Sequence, residues 1–331
     1  MAYELFLDSF DTDASAGRWA LALDLYASIA VPSTGNGRHG SSSARIGAYF
    51  PGGYGGYRAP YFTASTHITA GVAFRTNGNV VAALLFQPNN TTGADSVLVS
   101  VDSDRLIKWR IGYGGATTST GVVADASAWY YLECGVVVSS SGALTIKLNG
   151  NTIANITGVD TRPLGVATIN SVGLFSYHPS TDFDDFYVAY GDELKWLGDI
   201  RVDALALTAN ATPQDWTPDT GNAWERLNAD AGTITGTDVG DKSLFEIADF
   251  TPATSAIHAV QLTAKGRKTD AGSRSMALVI KSDATEDVGP DLALSDSTLT
   301  YTRTFETDPD TSGAWTDAAL DALQVGVKVS A

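Results

Sequence analysis

Apolar and polar side chains alternate with a period of two along most of this chain, and the alternating runs recur every 8 to 15 residues between clusters of Gly, Ser, Asn and Asp. Successive side chains of a strand point to opposite faces, so such runs predict strands buried on one side. Residues 3–8, 67–75, 80–86, 96–101 and 105–111 all read this way. A hairpin is predicted from 131–138, through a Ser-Gly turn, into 144–148, and Asn149-Gly150 then predicts a tight type I′ connection into 152–156. Helical spacing is confined to 317–323, where Leu320 and Leu323 share a face. Thr316 is placed to cap that turn, and Trp315 to staple it. Residues 324–329 return to alternation, with Val325, Val327 and Val329 on one side. This spacing of short strands predicts an all-β chain of sandwich or jelly-roll type.

At 331 residues the chain is long enough for about two domains, each with its own core. Acidic residues outnumber basic ones by 37 to 21, with 16 against 11 in residues 1–195 and 21 against 10 in residues 196–331. A general nucleic-acid binder needs clustered Lys and Arg to neutralise phosphates, so that class is excluded. The acidity is read as a solubility device, with a cationic partner as the alternative. Cys134 is the only cysteine, which excludes an intrachain disulfide, and alternation puts it on the buried face away from Glu133. The first eight residues lack the basic start of a secretory leader, and no run reaches the ~20 apolar residues of a spanning helix. The expectation is a soluble chain made in a bacterial cytoplasm, without membrane insertion.

Two groups of motifs carry a family resemblance. The strand Trp129-Tyr-Tyr-Leu-Glu133, the Ser-Gly turn, a strand ending Leu148-Asn-Gly150 and the late Asp182-Phe-Asp-Asp-Phe-Tyr-Val188 resemble the back half of a laminin-G/concanavalin A-like jelly roll. Residues 37–47 and Val72-Ala-Phe-Arg75 resemble its front half. A second group begins at Trp196-Leu-Gly-Asp-Ile-Arg-Val202 and runs through 215–221, 264–278 and 306–316 to 323–329. In this order the two groups resemble a family of bacteriophage virion structural proteins, which pair such a jelly roll with a smaller β-domain. The resemblance implies two β-sandwich domains, residues 1–193 and 194–331, the second with one short helix. It places the chain in the virion, with other phage virion proteins as partners.

Three constellations are candidates for function. Residues 47–62 combine five glycines with Tyr49, Tyr54, Tyr57 and Tyr61, and bare backbone beside flat rings suits protein contact or sugar stacking. Tyr54 and Tyr57 would supply ring faces, Arg58 the donors and Tyr61 further contact; a loop that merely caps the sandwich is the alternative. Asp182 and Asp184 fall on one strand face, with Asp185 opposite, and would be calcium ligands if Asp8, Asp11 and Asp13 lie near them. Hydrogen bonds from these carboxylates to loop N–H groups are the alternative. Lys265, Arg267, Lys268 and Arg274 surround a predicted hairpin tip at 269–273, as a docking patch for an acidic neighbour or as an ordinary solvated turn.

No Gly-x-Ser-x-Gly elbow or phosphate loop occurs, the four histidines lack zinc spacing, and no strand carries alternating Glu and Asp fit for glycoside cleavage. The expectation is therefore a chain without catalysis and without an obligatory cofactor. It would be a tail, neck or fibre component acting in assembly and host-surface contact. A capsid-bound decoration protein or a glycan-binding adsorption module is the alternative. Fibres and shell ornaments use closed symmetry, so a homo-oligomer, most simply a trimer, is expected.

Overall fold

The computed structural model describes residues 3–10, 20–25, 27–39, 42–48, 54–59, 61–76, 82–88, 97–112, 115–162, 165–177, 181–228, 232–250 and 256–331. The chain forms two compact units, Met1–Asp203 and Ala204–Ala331. Residues 194–203, assigned from sequence to the second domain, thus lie with the first.

The first unit stacks an eight-stranded on a seven-stranded antiparallel sheet. In the larger sheet the order is Asn151–Val159, Gly142–Leu148, Trp129–Val137, His67–Thr76, Thr181–Gly191, Ser42–Ala48 and Ala27–Thr34. The central strand Thr181–Gly191 also takes Tyr3–Asp8 beside its second half, so the first and last strands of the unit pair. The smaller sheet runs Thr118–Val123, Leu106–Ile111, Val97–Val101, Ala82–Gln87, Ser171–Tyr177, Tyr54–Arg58 and Ala20–Leu25. The predicted strands are present, and Asn149 and Gly150 take φ of +47° and +78°, as a type I′ turn requires.

Alternation does here what it promises. Ile68, Ala70, Val72 and Phe74 from one sheet meet Leu84, Phe86, Val97 and Val99 from the other in a single buried cluster, which also holds Leu132, Cys134 and Val136. Cys134 is fully buried, and desolvation raises its thiol pKa far above the ordinary value, so it behaves as a small apolar side chain.

The second unit is a six-stranded sheet ordered Leu207–Gln214, Lys242–Ile247, Gln324–Val329, Ser275–Ser282 and Thr285–Val288, with Leu292–Ala293 also beside Ser275–Ser282. A ribbon of Val260–Gly266 and Leu299–Phe305 supplies Phe305 to a core with Ile280, Trp315, Leu320, Leu323 and Val325. Among the described residues two short helices occur where one was expected, Ala223–Asn228 and Asp317–Asp321. Thr316 caps the second, its hydroxyl accepting from Ala319 N at 3.2 Å, while the Trp315 indole N–H donates to Phe305 O at 2.9 Å. Thr316→Ala should cost about 1 kcal/mol of unfolding free energy in denaturant titration. A change below a few tenths would mean that Trp315 alone fixes the helix start.

Candidate functional site

The outer face of the eight-stranded sheet carries a buried polar network, and its organising feature is an irregularity. Between Asp184 and Tyr187 the register of Thr181–Gly191 slips, and Asp185 takes a left-handed φ of +49° that Asp and Asn tolerate better than most residues. The slip keeps Phe183 and Phe186 both in the core. Asp182, Asp184 and Asp185 are all at most 1% exposed.

Residues 196–203 form a strap across this face. Glu133, 1% exposed in the middle of an apolar strand, accepts from Tyr187 O–H at 2.6 Å and from Gly198 N–H at 2.9 Å. Leu197 N donates to Tyr187 Oη at 3.3 Å, and Val202 N donates to Asp185 Oδ1 at 2.9 Å. Tyr131 O–H donates to the Asp185 carbonyl at 3.0 Å. From the opposite side, Arg38 N donates to Asp184 Oδ2 at 2.7 Å, and the Arg38 guanidinium donates to Asp199 in the strap at 2.7 Å. Two strand glycines make room: a Cβ at Gly71 would collide with the Tyr187 ring, and one at Gly135 would lie 2.6 Å from Trp196 Cζ2. Lys147 Nζ stands 3.9 Å from the centre of the same indole. The motifs Asp182–Val188 and Trp196–Val202, read from sequence as the end of one domain and the start of the next, are the two halves of one latch.

Beside the strap lies a charged row. Asp182 pairs in register with Arg45 on one neighbouring strand and Arg75 on the other. Arg45 Nε donates to its Oδ1 at 2.7 Å and Arg75 Nη2 to its Oδ2 at 2.8 Å. Asn36 braces both arginines, accepting from Arg45 Nη2 through its side chain at 2.9 Å and from Arg75 Nη2 through its carbonyl at 3.1 Å.

The calcium expectation for Asp182 and Asp184 is corrected by this geometry. Both oxygens of Asp182 are taken by guanidinium groups, and Asp184 accepts from the backbone N–H of Arg38 and of Asp185. Arginine donors and loop amides thus occupy the lone pairs that a cation would need. Among the described residues no group of three or more His, Cys, Asp or Glu is placed to hold a metal ion. Asp8 directs Oδ1 to Phe10 N at 2.8 Å, and Asp11 and Asp13 lie outside the described residues.

Burial raises the Asp185 pKa above the ordinary carboxylate value, opposed by the Val202 N–H, His39 and Arg38. The folded state thus holds this proton more tightly than the unfolded chain. The stabilisation is complete below the unfolded value and is lost as pH rises through the folded one. Asp185→Asn, which keeps the acceptor for Val202 and suits the positive φ, should change stability at neutral pH by less than about 1 kcal/mol. It should also flatten the stability profile just above the ordinary carboxylate range. A loss of several kcal/mol at pH 7 would show instead that the Arg38 and His39 contacts dominate.

The tyrosine-glycine segment is not a loop throughout. Tyr54–Arg58 is a strand paired on both edges, with Ser171–Tyr177 and with Ala20–Leu25. The bare backbone serves packing, since a Cβ on Gly56 would lie 2.6 Å from Phe175 Cδ1. The side chains of Tyr54, Tyr57 and Arg58 lie outside the described part, whereas Tyr61 is 49% exposed. The basic segment is no hairpin either: Val260–Gly266 pairs with Leu299–Phe305, while Ser275–Ser282 pairs with Gln324–Val329, so residues 267–274 cross between two sheets. Arg274 is paired to Asp270 at 2.7 Å and Lys268 Nζ ends on Gly272 O at 2.8 Å, which leaves less free positive charge than four cations imply.

Arg38, Arg45, Arg75, Glu133 and Tyr187 were not singled out from sequence. Glu133 inside an apolar strand and Gly71 inside another were the available signals.

No family model and no curated protein matches the chain. Solved structures similar to it include a Bacillus subtilis protein of unknown function with a galectin-like fold, at 13% identity and TM-score 0.42, covering 56% of this chain and 96% of the other. An endo-β-1,4-glucuronan lyase from the fungus Trichoderma reesei matches at 14% identity and TM-score 0.42, covering 52% and 90%. The Crh5 transglycosylase in its apo form matches at 11% identity and TM-score 0.41, covering 57% and 84%. At these identities the likeness concerns the fold, an all-β sandwich. It also corrects the expectation of a chain without catalysis, because the similar structures include a lyase and a transglycosylase.

Proposed function

We propose that the chain is a structural component of a bacteriophage particle, at the tail, neck or fibre, whose first unit meets the host surface. The strap carries this reading. A sheet face that costs several buried polar groups is used to pin residues 196–202, and the second unit begins at Ala204. Such a mount keeps the exit of the chain from the first unit in one place, which suits a part that must hold its orientation in an assembly. The order of the two motif groups along the sequence supports the same reading. The working form is a homo-oligomer, taken as a trimer, in contact with other virion proteins.

Copy number and position in purified particles test the proposal. A few copies at the tail, located with labelled antibody and counted by mass spectrometry, are expected. Hundreds of copies over the shell would make the chain a decoration protein, and absence from the particle would end the proposal. Light scattering of the purified chain should give three times its 34.7 kDa mass.

A further inference from the structure

The last strand of a sheet presents a row of unpaired N–H and C=O groups to any other strand, so such edges are ordinarily guarded by a proline or a charge. Among the described residues the three large sheets end in six strands. Four are guarded: Ala27–Thr34 holds Pro32, Ala20–Leu25 holds Asp24, Leu207–Gln214 holds Pro213 and Thr285–Val288 holds Asp287. The other two, Asn151–Val159 and Thr118–Val123, hold no proline and no charged residue. They end the eight-stranded and the seven-stranded sheet on the same flank of the first unit, where they lie next to each other. Thr118, Ser119, Asn155 and Thr157 are exposed there, and Val123 is 47% exposed. Val122, Ala154 and Ile156 pack only partly buried against the core, which is therefore incompletely covered on this side. The charges that border the flank are paired, Arg162 with Asp160 at 2.7 Å and Lys108 with Asp104 at 2.7 Å. Bulges at Ile153 and Gly158 confine the regular stretch of the longer edge to residues 154–157.

We infer that this flank is where copies of the chain join: the edge Asn151–Val159 of one copy pairs with the edge Thr118–Val123 of the next, in a ring that closes at three. The inference rests on the homo-oligomer reading above and gives it an interface. Charge selects a second copy as the occupant. Each chain carries a net charge of −16, so copies repel one another wherever their surfaces are charged and approach most cheaply where both are neutral. The pairing of the two edges selects a ring. A single extended segment from another protein needs one open edge, whereas a head-to-tail ring needs two on each copy, one for the neighbour ahead and one for the neighbour behind. Each joint is short, and a closed ring of three makes three of them at once. Val122, Ala154 and Ile156 gain at the joint the cover that they lack in the single chain.

The test follows the mass of the full chain by light scattering over a dilution series. The double change Thr157→Glu, Val123→Glu sets like charges on the two edges at exposed positions, where a substitution barely alters the stability of the single chain. It should move dissociation of the trimer to a concentration about tenfold higher or more, with amide-exchange protection of Trp129–Val137 unchanged. A cross-link serves if that variant does not fold. Cys134 is fully buried, so a cysteine added at either edge is the one that reacts. Chains carrying Thr157→Cys and chains carrying Val123→Cys, co-expressed and treated with a short bis-maleimide, should yield a covalent pair containing one of each, and neither chain alone should yield one. A trimer undiminished by the two glutamates, or a trimer without the mixed covalent pair, overturns the joint and leaves the homo-oligomer reading standing. Cross-linking of Thr157→Cys chains to each other would show that like edges meet about a two-fold axis, which overturns the ring. An unaltered chain that stays at 34.7 kDa throughout overturns both the joint and the homo-oligomer reading.

Discussion

Asp182→Ala should be the most damaging single change in the first unit. The carboxylate is 0% exposed and is the charged partner that Arg45 and Arg75 share across three strands, with Asn36 bracing both. Removing one member of a buried ion pair leaves the other charge uncompensated, at a cost of about 3–5 kcal/mol. Both arginines retain some exposure and can be partly rehydrated, which favours the lower end, about 3 kcal/mol. For a unit of this size that corresponds to a fall in melting temperature of roughly 6–12 °C. Hydrogen exchange in the strand Trp129–Val137 during denaturant titration reports on this unit within the full chain. Replacing all three groups by apolar ones, Arg45→Met with Asp182→Leu and Arg75→Met, should recover most of the loss, because the desolvation cost vanishes with the charges. A loss below about 1 kcal/mol for the single change would mean that water reaches the row freely.

Gly71→Ala should rank second, through packing alone. Its new methyl would run into the ring of Tyr187, which is fully buried between Gly71 and the strap and cannot swing aside. Overpacking of this kind costs about 1–3 kcal/mol. Here it also drives the Tyr187 hydroxyl from Glu133, leaving a buried carboxylate with one donor fewer. The amides of Leu197, Gly198 and Val202 should then exchange much faster than those of the core strands. Gly135→Ala makes a useful companion, since Trp196 belongs to the strap and can lift; strap exchange should rise there with little global loss. Unchanged protection of Leu197 and Gly198 in Gly71→Ala would mean that the strap is not held through Tyr187.

Much of the fold was legible because its causes are local. The Asn149-Gly150 turn follows from two residues that accept positive φ. The helix start follows from a hydroxyl three residues before the amide it accepts, and the faces of the long strands follow from alternation. The helix Ala223–Asn228 was missed because only Ala223 is buried, so no apolar stripe announces it. The candidate site was legible only as residue types. Asp182 drew notice as a carboxylate, and a calcium role was entertained because its partners lie 137 and 107 residues away along the chain.

The amino-acid sequence by itself determined the all-β class, the strands with their buried faces, the tight turn and the capped helix, since each depends on side chains within a few positions of one another. It also determined, through Asp185, a position that tolerates left-handed backbone. Only the tertiary structure decided what covers the outer face of the eight-stranded sheet and which charges meet there. Alternation states that Glu133, Arg45 and Arg75 point away from the core, but not that the register slip turns Tyr187 out beside Glu133, that a strap returns over both, or that Asp182 gathers the two arginines. That choice depends on strand order and register across the sheet, where neighbours in space are strangers in sequence.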